Sequence, residues 1–303
     1  MIECVTLNNK IMEKLYMNNE NNKTDVEVKN SFYNFELNIE TKALFSVADK
    51  LNNHINEIKD KNPDLWQTIL QKLKIDWTYN SNSIEGSTLS RGDTHFFLTE
   101  GLTVEGKPFK DFLDAKNHIE AIDYLYEVIA NNRDVTEGLI KEINALILSD
   151  VKFTSAQDRD GNRVKKRANS GEYKIEPNHV LLANGDIHYY VDPIQVQPQM
   201  QELISWVVEN EYKLHPILLA SIVHYNLVRI HAFDDGNGRG ARILMNLILM
   251  KHNFFPAVIK TERKRKYLQA LHEADNGDIS SFISFIATEL IETQESVVND
   301  LEH

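Results

Sequence analysis

His231-Ala232-Phe233-Asp234-Asp235-Gly236-Asn237-Gly238-Arg239-Gly240-Ala241-Arg242 gathers a potential base, acidic side chains, a glycine-bracketed turn and two arginines into one short run. The apolar runs on either side, residues 217–230 and 243–250, have helical length and composition. The segment therefore reads as a helix–loop–helix whose loop feeds the amino end of the second helix. Gly236 and Gly238 can take positive φ without a Cβ penalty, so successive backbone N–H groups can turn toward one point. Amides aimed inward, together with a helix N-terminus, make an anion site. Arg239 and Arg242 are three apart and share one side of the first helical turn. Asp235, a carboxylate inside a positive cluster, suits a hard divalent cation, since Mg²⁺ binds through one or two carboxylates and completes its shell with phosphate oxygens. His231 is the group able to accept a proton at neutral pH. Phe233 has no polar role and is assigned to the core as the pin of the loop. Singly, a helix-terminal histidine is more often a cap and a DG or NG pair is usually a plain turn. The whole set in this order points to a nucleotide-using transferase.

The segment resembles the motif of the Fic family: histidine, usually Pro-Phe, a free position, Asp or Glu, Gly-Asn-Gly-Arg, two free positions and Arg. The matching positions are His231, Phe233, Asp235, Gly236, Asn237, Gly238, Arg239 and Arg242. Ala232 replaces the commoner proline, a change expected to affect loop stiffness more than chemistry. Gly238 stands where the related Doc branch has a lysine, which favours nucleotidyl over phosphate transfer. The resemblance implies a mainly α fold, a Fic-type helical core with a small β-hairpin flap. It implies that His231 deprotonates a target hydroxyl and Asp235 holds Mg²⁺. Asn237 and the glycine amides would contact the α-phosphate region of ATP, with Arg239 and Arg242 on the outer phosphates. The implied product is AMP on a target protein.

A second stretch, Ser81-Asn82-Ser83-Ile84-Glu85-Gly86, resembles the family's inhibitory motif. It ends a helical pattern (Leu65, Trp66, Ile69, Leu70, Leu73, Trp77), and Gly86 is a sensible helix stop. The resemblance implies that Glu85 pairs with Arg242 where the γ-phosphate needs to sit, with Ser81 opening the motif. A third element is a hairpin signal, Asn184-Gly185-Asp186, between apolar stretches 179–183 and 187–191. By family position it is the flap on which a target protein docks as an added strand. Tyr267, ahead of Gly277-Asp278, is a candidate adenine neighbour. The alternatives that stay open are a related enzyme using another nucleotide or removing AMP, and a nucleotide-binding module without turnover.

Several features mislead. Residues 101–108 nearly spell GxxxxGK, but Pro108 replaces the Ser or Thr and no buried strand precedes it. Residues 158–162 look calcium-like yet lack the ligand spacing and terminal Glu. His224 has no suitable third ligand beside His231 and reads as a packed residue. The basic run 260–266 reads as a solvated face.

At 303 residues and 42% hydrophobic, the chain can bury a substantial core in one or two domains. A net charge of -12 argues against nucleic acid as a partner. The single cysteine, Cys4, excludes an internal disulfide and suits a reducing compartment. No apolar run reaches transmembrane length and the Asn-rich start lacks a signal-peptide core, so the expectation is cytoplasmic with no membrane partner. Self-association into a homo-oligomer is compatible with the sequence. The expected organisation is an N-terminal region 1–114 with the inhibitory helix at about 65–86, a core at 115–295 and a tail at 296–303. Helical spacing marks 44–58, 65–84, 115–130, 139–147, 200–207 and 279–290, and the alternation at 32–37 suggests a strand.

Overall fold

Asn38, Asn62, Ser90 and Thr136 each precede a helix and accept a backbone N–H from its first turn, at 2.8, 3.2, 3.0 and 3.1 Å. These caps satisfy donors that a helix cannot pair internally. The computed structural model describes residues 32–157, 163–181, 185 and 187–303. Ten α-helices carry the described fold: α1 Ile39–Ile58, α2 Pro63–Ile84, α3 Arg91–Glu100, α4 Phe109–Ala130, α5 Glu137–Ile147, α6 Pro193–Asn210, α7 Pro216–Ile230, α8 Asn237–Lys251, α9 Lys264–Asp275 and α10 Ser280–Glu302. Two small antiparallel pairs lie between α5 and α6: β1 Phe153–Gln157 with β2 Arg163–Arg167, and β3 Val180–Leu181 with β4 Ile187–His188.

The mainly helical architecture with a small hairpin is the one the family resemblance implies. At its centre is α7, which is buried on every face from Ile217 to Leu227; a helix apolar all round belongs in the middle of a core. α8 packs beside it, and α1 and α10 run together on the outer side, where Gln294 donates to the Ala48 carbonyl and Thr41 meets Ser284 at 2.8 Å. One hydrophobic cluster runs from Tyr33 on the amino-terminal side to Val297 near the carboxyl end.

Several expectations are corrected. Residues 34–38 are not assigned to a strand among the described residues, and Tyr33 stacks on Trp206 of α6. The segment 296–303 is no tail, because α10 continues to Glu302. α3 and α9 went unread. The near-Walker stretch begins at Gly101, which at φ +70° is the left-handed cap of α3, and Lys107 donates to the Thr88 carbonyl. The basic run is not simply solvated: Arg263 pairs with Glu289 and Glu292 of α10, and Lys264 opens α9. The Asn-rich start, Cys4, the calcium-like stretch 158–162 and the tip of the second hairpin (182–184 and 186) lie outside the described residues.

Because Ile286 on α10 is fully buried in this shared core, Ile286→Ala is expected to cost about 2–5 kcal/mol. Chemical denaturation of the full chain measures it, and a loss under about 1 kcal/mol contradicts the packing described.

Candidate active site

α7 ends on His231, whose φ of 50° and ψ of 56° make it a left-handed helix cap. A β-carbon is strained there by on the order of 1–2 kcal/mol, so the neighbours must hold it. Tyr173 bridges Phe233 in antiparallel fashion and the Lys174 amide donates to the Ala232 carbonyl at 2.8 Å. Phe233 is buried against the Tyr173 ring, as the pin of the loop should be. Asn237 then closes the turn on itself: its Oδ1 accepts from Phe233 N at 2.9 Å and its Nδ2 donates to Phe233 O at 2.8 Å. Both ends of this side-chain amide are thereby engaged within the loop, which leaves the Asn237 backbone N–H as its group toward the cradle.

Gly236 has φ +77°, and a Cβ there would lie 3.2 Å from Asn144 Nδ2 and Ile147 Cγ2. The first intrahelical bond of α8 runs from Gly240 N to Gly236 O at 2.8 Å. The amides of Asn237, Gly238 and Arg239 precede it and remain to bind an anion.

What fills that place is Glu85, the residue that ends α2. Its Oε1 lies so close over Gly238 that a Cβ on 238 would clash with it. Arg242 Nη2 donates to Glu85 Oε1 at 2.7 Å, and two further bonds go to Ser81, Nε to Oγ at 3.0 Å and Nη2 to the carbonyl at 2.9 Å. Burial would raise the Glu85 pKa, but Arg242, by charge and hydrogen bond, with Arg239 and Lys264 behind it, holds the carboxyl below its usual value. The pair is asymmetric: the Arg242 side chain is 3% exposed and that of Glu85 43%. Arg239 points elsewhere, donating to Asp114 on α4 at 2.8 Å and reaching Asp235 at 3.5 Å.

His231 lies beside this cradle under the flap. Burial and the Lys174 ammonium push its pKa down to about 3, with the Val228 backbone and Glu85 acting the other way. The imidazole is thus neutral, the form a general base requires. Asp235 Oδ1 accepts from Gly236 N at 2.6 Å, and its side chain stays one-third exposed.

The Fic/DOC family pattern matches residues 134–249. A Fic domain containing signaling protein from Bacteroides thetaiotaomicron superposes with a TM-score of 0.73 at 30% identity, over 87% of this chain and 97% of that one. This chain belongs to the Fic/DOC family. The Protein adenylyltransferase Fic of Nematostella vectensis is 32% identical over 211 residues, which are 69% of this chain and 45% of that protein. The Caenorhabditis elegans Protein adenylyltransferase fic-1 is 28% identical over 260 residues, 83% of this chain and 47% of the relative. The chain spans about half the length of the curated relatives it matches.

Within this Fic site, the structure brings His231, Asp235, Gly236, Gly238, Arg239, Arg242, Ser81 and Glu85 together. Tyr267 departs from the expected place. It is 2% exposed, its hydroxyl meets His224 Nε2 at 2.9 Å, and its ring packs on Phe282 and Phe285. No face is left free for adenine in this conformation. His224 is the packed residue expected. Sequence reasoning missed the loop's supports. Asn144 on α5 donates to the Asp235 carbonyl at 2.9 Å and accepts from Gly171 N at 3.0 Å. Asp234, a free position of the family pattern, binds Lys166 of β2 at 2.9 Å and Asn169 at 3.1 Å. Asn178 donates to the Phe233 carbonyl at 2.9 Å. Only the acid at 234 carried a readable signal, a charge in a loop otherwise accounted for.

Burial and Arg242 also push His224 down to about 3. The unfolded chain, with a reference value of about 6.5, then binds a proton in a range where the folded chain does not. Stability contributed by the neutral form is present above about pH 6.5 and lost as pH falls toward about 3. His224→Gln should therefore show a smaller drop in urea midpoint between pH 7 and pH 4 than the parent. An equal drop would assign the pH dependence to other groups.

Proposed function

We propose that this chain is a protein adenylyltransferase, moving AMP from ATP to a hydroxyl side chain of a target protein, and that Glu85 holds it inactive. The observation that carries the reading is the Glu85 carboxylate lying over the first turn of α8 and bonded to Arg242 at 2.7 Å. A negative group already occupies the place where a polyphosphate would be gripped. ATP displaces it and takes over the Arg242 donors and the free amides of α8, with Arg239 alongside. The α-phosphate then lies near His231. The target hydroxyl gives its proton to the imidazole while its oxygen attacks the α-phosphorus. The bond from that phosphorus to the bridging oxygen breaks, AMP stays on the target and pyrophosphate leaves. The protein's part is positioning and fixed charge.

Asp235 is the residue that would hold Mg²⁺. Its Oδ1 is engaged by Gly236 while the side chain stays partly open. Among the described residues no group of three or more His, Cys, Asp or Glu gathers to hold a metal. A cation at Asp235 therefore needs oxygens from the nucleotide, which is how Mg²⁺ is usually held. Bound there, it would offset charge on the phosphates and on the departing pyrophosphate.

The target is proposed to dock along the second hairpin, near 180–191. β3 and β4 form a two-stranded pair, and Val180, Ile187 and Tyr189 are 43, 50 and 68% exposed. An unpaired strand edge flanked by exposed apolar side chains suits an extended peptide segment.

Two variants test the reading with radiolabelled ATP and mass spectrometry for an AMP adduct. His231→Ala should lower transfer by about 10²–10⁴-fold or more while ATP binding, followed by calorimetry, persists. Retained transfer overturns the assignment of the base. Glu85→Gly should raise self-modification about tenfold, the lower end of one charge-assisted hydrogen bond because Glu85 is solvated on one side. An unchanged or lower rate overturns the inhibitory role.

A further inference from the structure

Tyr190 follows β4 and lies flat on His231, with ring centroids 3.7 Å apart and an angle of 22° between planes. It is the shortest contact between two rings among the described residues. His231 needs such a contact. Its Nδ1 is buried without a well-aligned hydrogen-bond partner, although the Val228 backbone is near enough to favour the charged ring. A general base is normally held in plane and tautomer by a carboxylate or carbonyl on the far nitrogen. Here no carboxylate does so. The ring could swing about its side-chain torsions if nothing lay on its face.

Tyr190 is itself well anchored. Its amide donates to His179 Nδ1 at 3.2 Å, and the His188 ring packs on it at 4.6 Å. The Lys174 ammonium lies 5.9 Å from its ring centroid. Burial raises the phenol to about 12, with negative charge from Asp275 and Glu85 adding to the effect. The hydroxyl is therefore uncharged.

We propose that Tyr190 is the positioning residue for His231: its ring face, not its hydroxyl, holds the imidazole in its reactive plane and shields it from water. The inference rests on the transferase reading for its kinetic consequence, and on geometry alone for the stack. It makes the flap more than a docking edge, because the same hairpin that would receive a target carries the side chain that sets the base. Removing the ring frees the imidazole to rotate and rehydrates it. The titratable groups that then face His231 are Lys174 and His188 from the flap side and Glu85 from α2.

The experiment has two arms, both on the full chain. The kinetic arm uses Glu85→Gly as parent and adds Tyr190→Phe or Tyr190→Ala, with circular dichroism as the folding check. Tyr190→Phe should stay within about twofold of the parent. Tyr190→Ala should lose about 10–100-fold in kcat with a smaller change in KM for ATP. Its acidic limb should move to higher pH, since a rehydrated imidazole loses its proton at a higher value. Equal damage from both variants would transfer the role to the hydroxyl and overturn the proposal, as would an unmoved pH limb in Tyr190→Ala. The second arm is NMR of ¹³C-labelled histidine without nucleotide or target, with His231→Asn assigning the signal. Tyr190→Ala should shift the His231 ring protons and raise its titration midpoint by at least one unit, with Tyr190→Phe close to wild type. Unmoved signals overturn the stack whatever the kinetics. Absence of AMP transfer from the Glu85→Gly parent would sink the transferase reading while the NMR arm still decides the stack.

Discussion

A guanidinium that is 3% exposed has to be matched by an anion, and Arg242 imposes that condition on everything around it. Leaving such a charge unpaired inside a protein costs several kcal/mol. Ser81 satisfies part of the group through its hydroxyl and carbonyl, but both are neutral oxygens. The balancing charge comes from Glu85, and the open amides at the start of α8 favour the same sign. The requirement is therefore for a negative occupant, not for one particular occupant. Because Glu85 reaches in from the solvent side, its own release into water costs little, and the main penalty of separation falls on Arg242. A polyphosphate entering the proposed site would remove that penalty as it arrives. The fold positions this exchange through α2, whose final turn brings Ser81 and Glu85 to the same arginine, and through Gly238, which leaves room for the carboxylate.

The loop that carries His231 is held from outside its own sequence. Asn144 fixes the Asp235 carbonyl, Asn178 the Phe233 carbonyl, and Lys166 with Asn169 the Asp234 carboxylate. Three of these four side chains lie in β2 or in the irregular stretch between β2 and β3. Backbone groups of a buried turn cannot be left unpaired, so the stretch between the two hairpins completes the turn rather than merely covering it. One consequence is mechanical. A force on the second hairpin reaches the loop through Asn178 and through the Lys174 amide, as well as through any ring resting on His231.

Local chemistry explains what could be read in the sequence. Caps, apolar spacing and the glycine-bracketed turn are short-range patterns, so the long helices and the loop between α7 and α8 were legible. Glu85 and Arg242 were paired only through family resemblance, since nothing in spacing connects residues separated by so much chain. Asp114, Asn144 and Asn178 were not legible because a lone polar residue on a helix or loop looks the same whether it faces water or a distant turn. Residues 32–37 alternate like a strand, but Tyr33 is held by Trp206 and no strand among the described residues pairs with them; alternation describes faces, not partners. α3 was hidden by its own polar surface, with Thr94 its single buried residue. Tyr267 was misplaced for a related reason, since a tyrosine near a binding site and a tyrosine beneath it leave the same trace in sequence.

The two halves of the site also communicate through charge. The low pKa of His231 reflects burial and Lys174, opposed in part by the single negative charge of Glu85. Exchanging that carboxylate for a nucleotide triphosphate replaces one negative charge by several, and even partial offset by a divalent cation leaves more than Glu85 supplied. Negative charge nearby favours the protonated imidazole, so the exchange at Arg242 would raise the basicity of His231 as the substrate binds. On the proposed reading, a base that is weak with Glu85 in place and stronger with nucleotide in place would suit a site that must not activate water or stray hydroxyls while waiting. Desolvation sets the resting value of His231 and the occupant of the anion place would tune it, so one buried arginine would connect the choice of anion to the readiness of the proposed base.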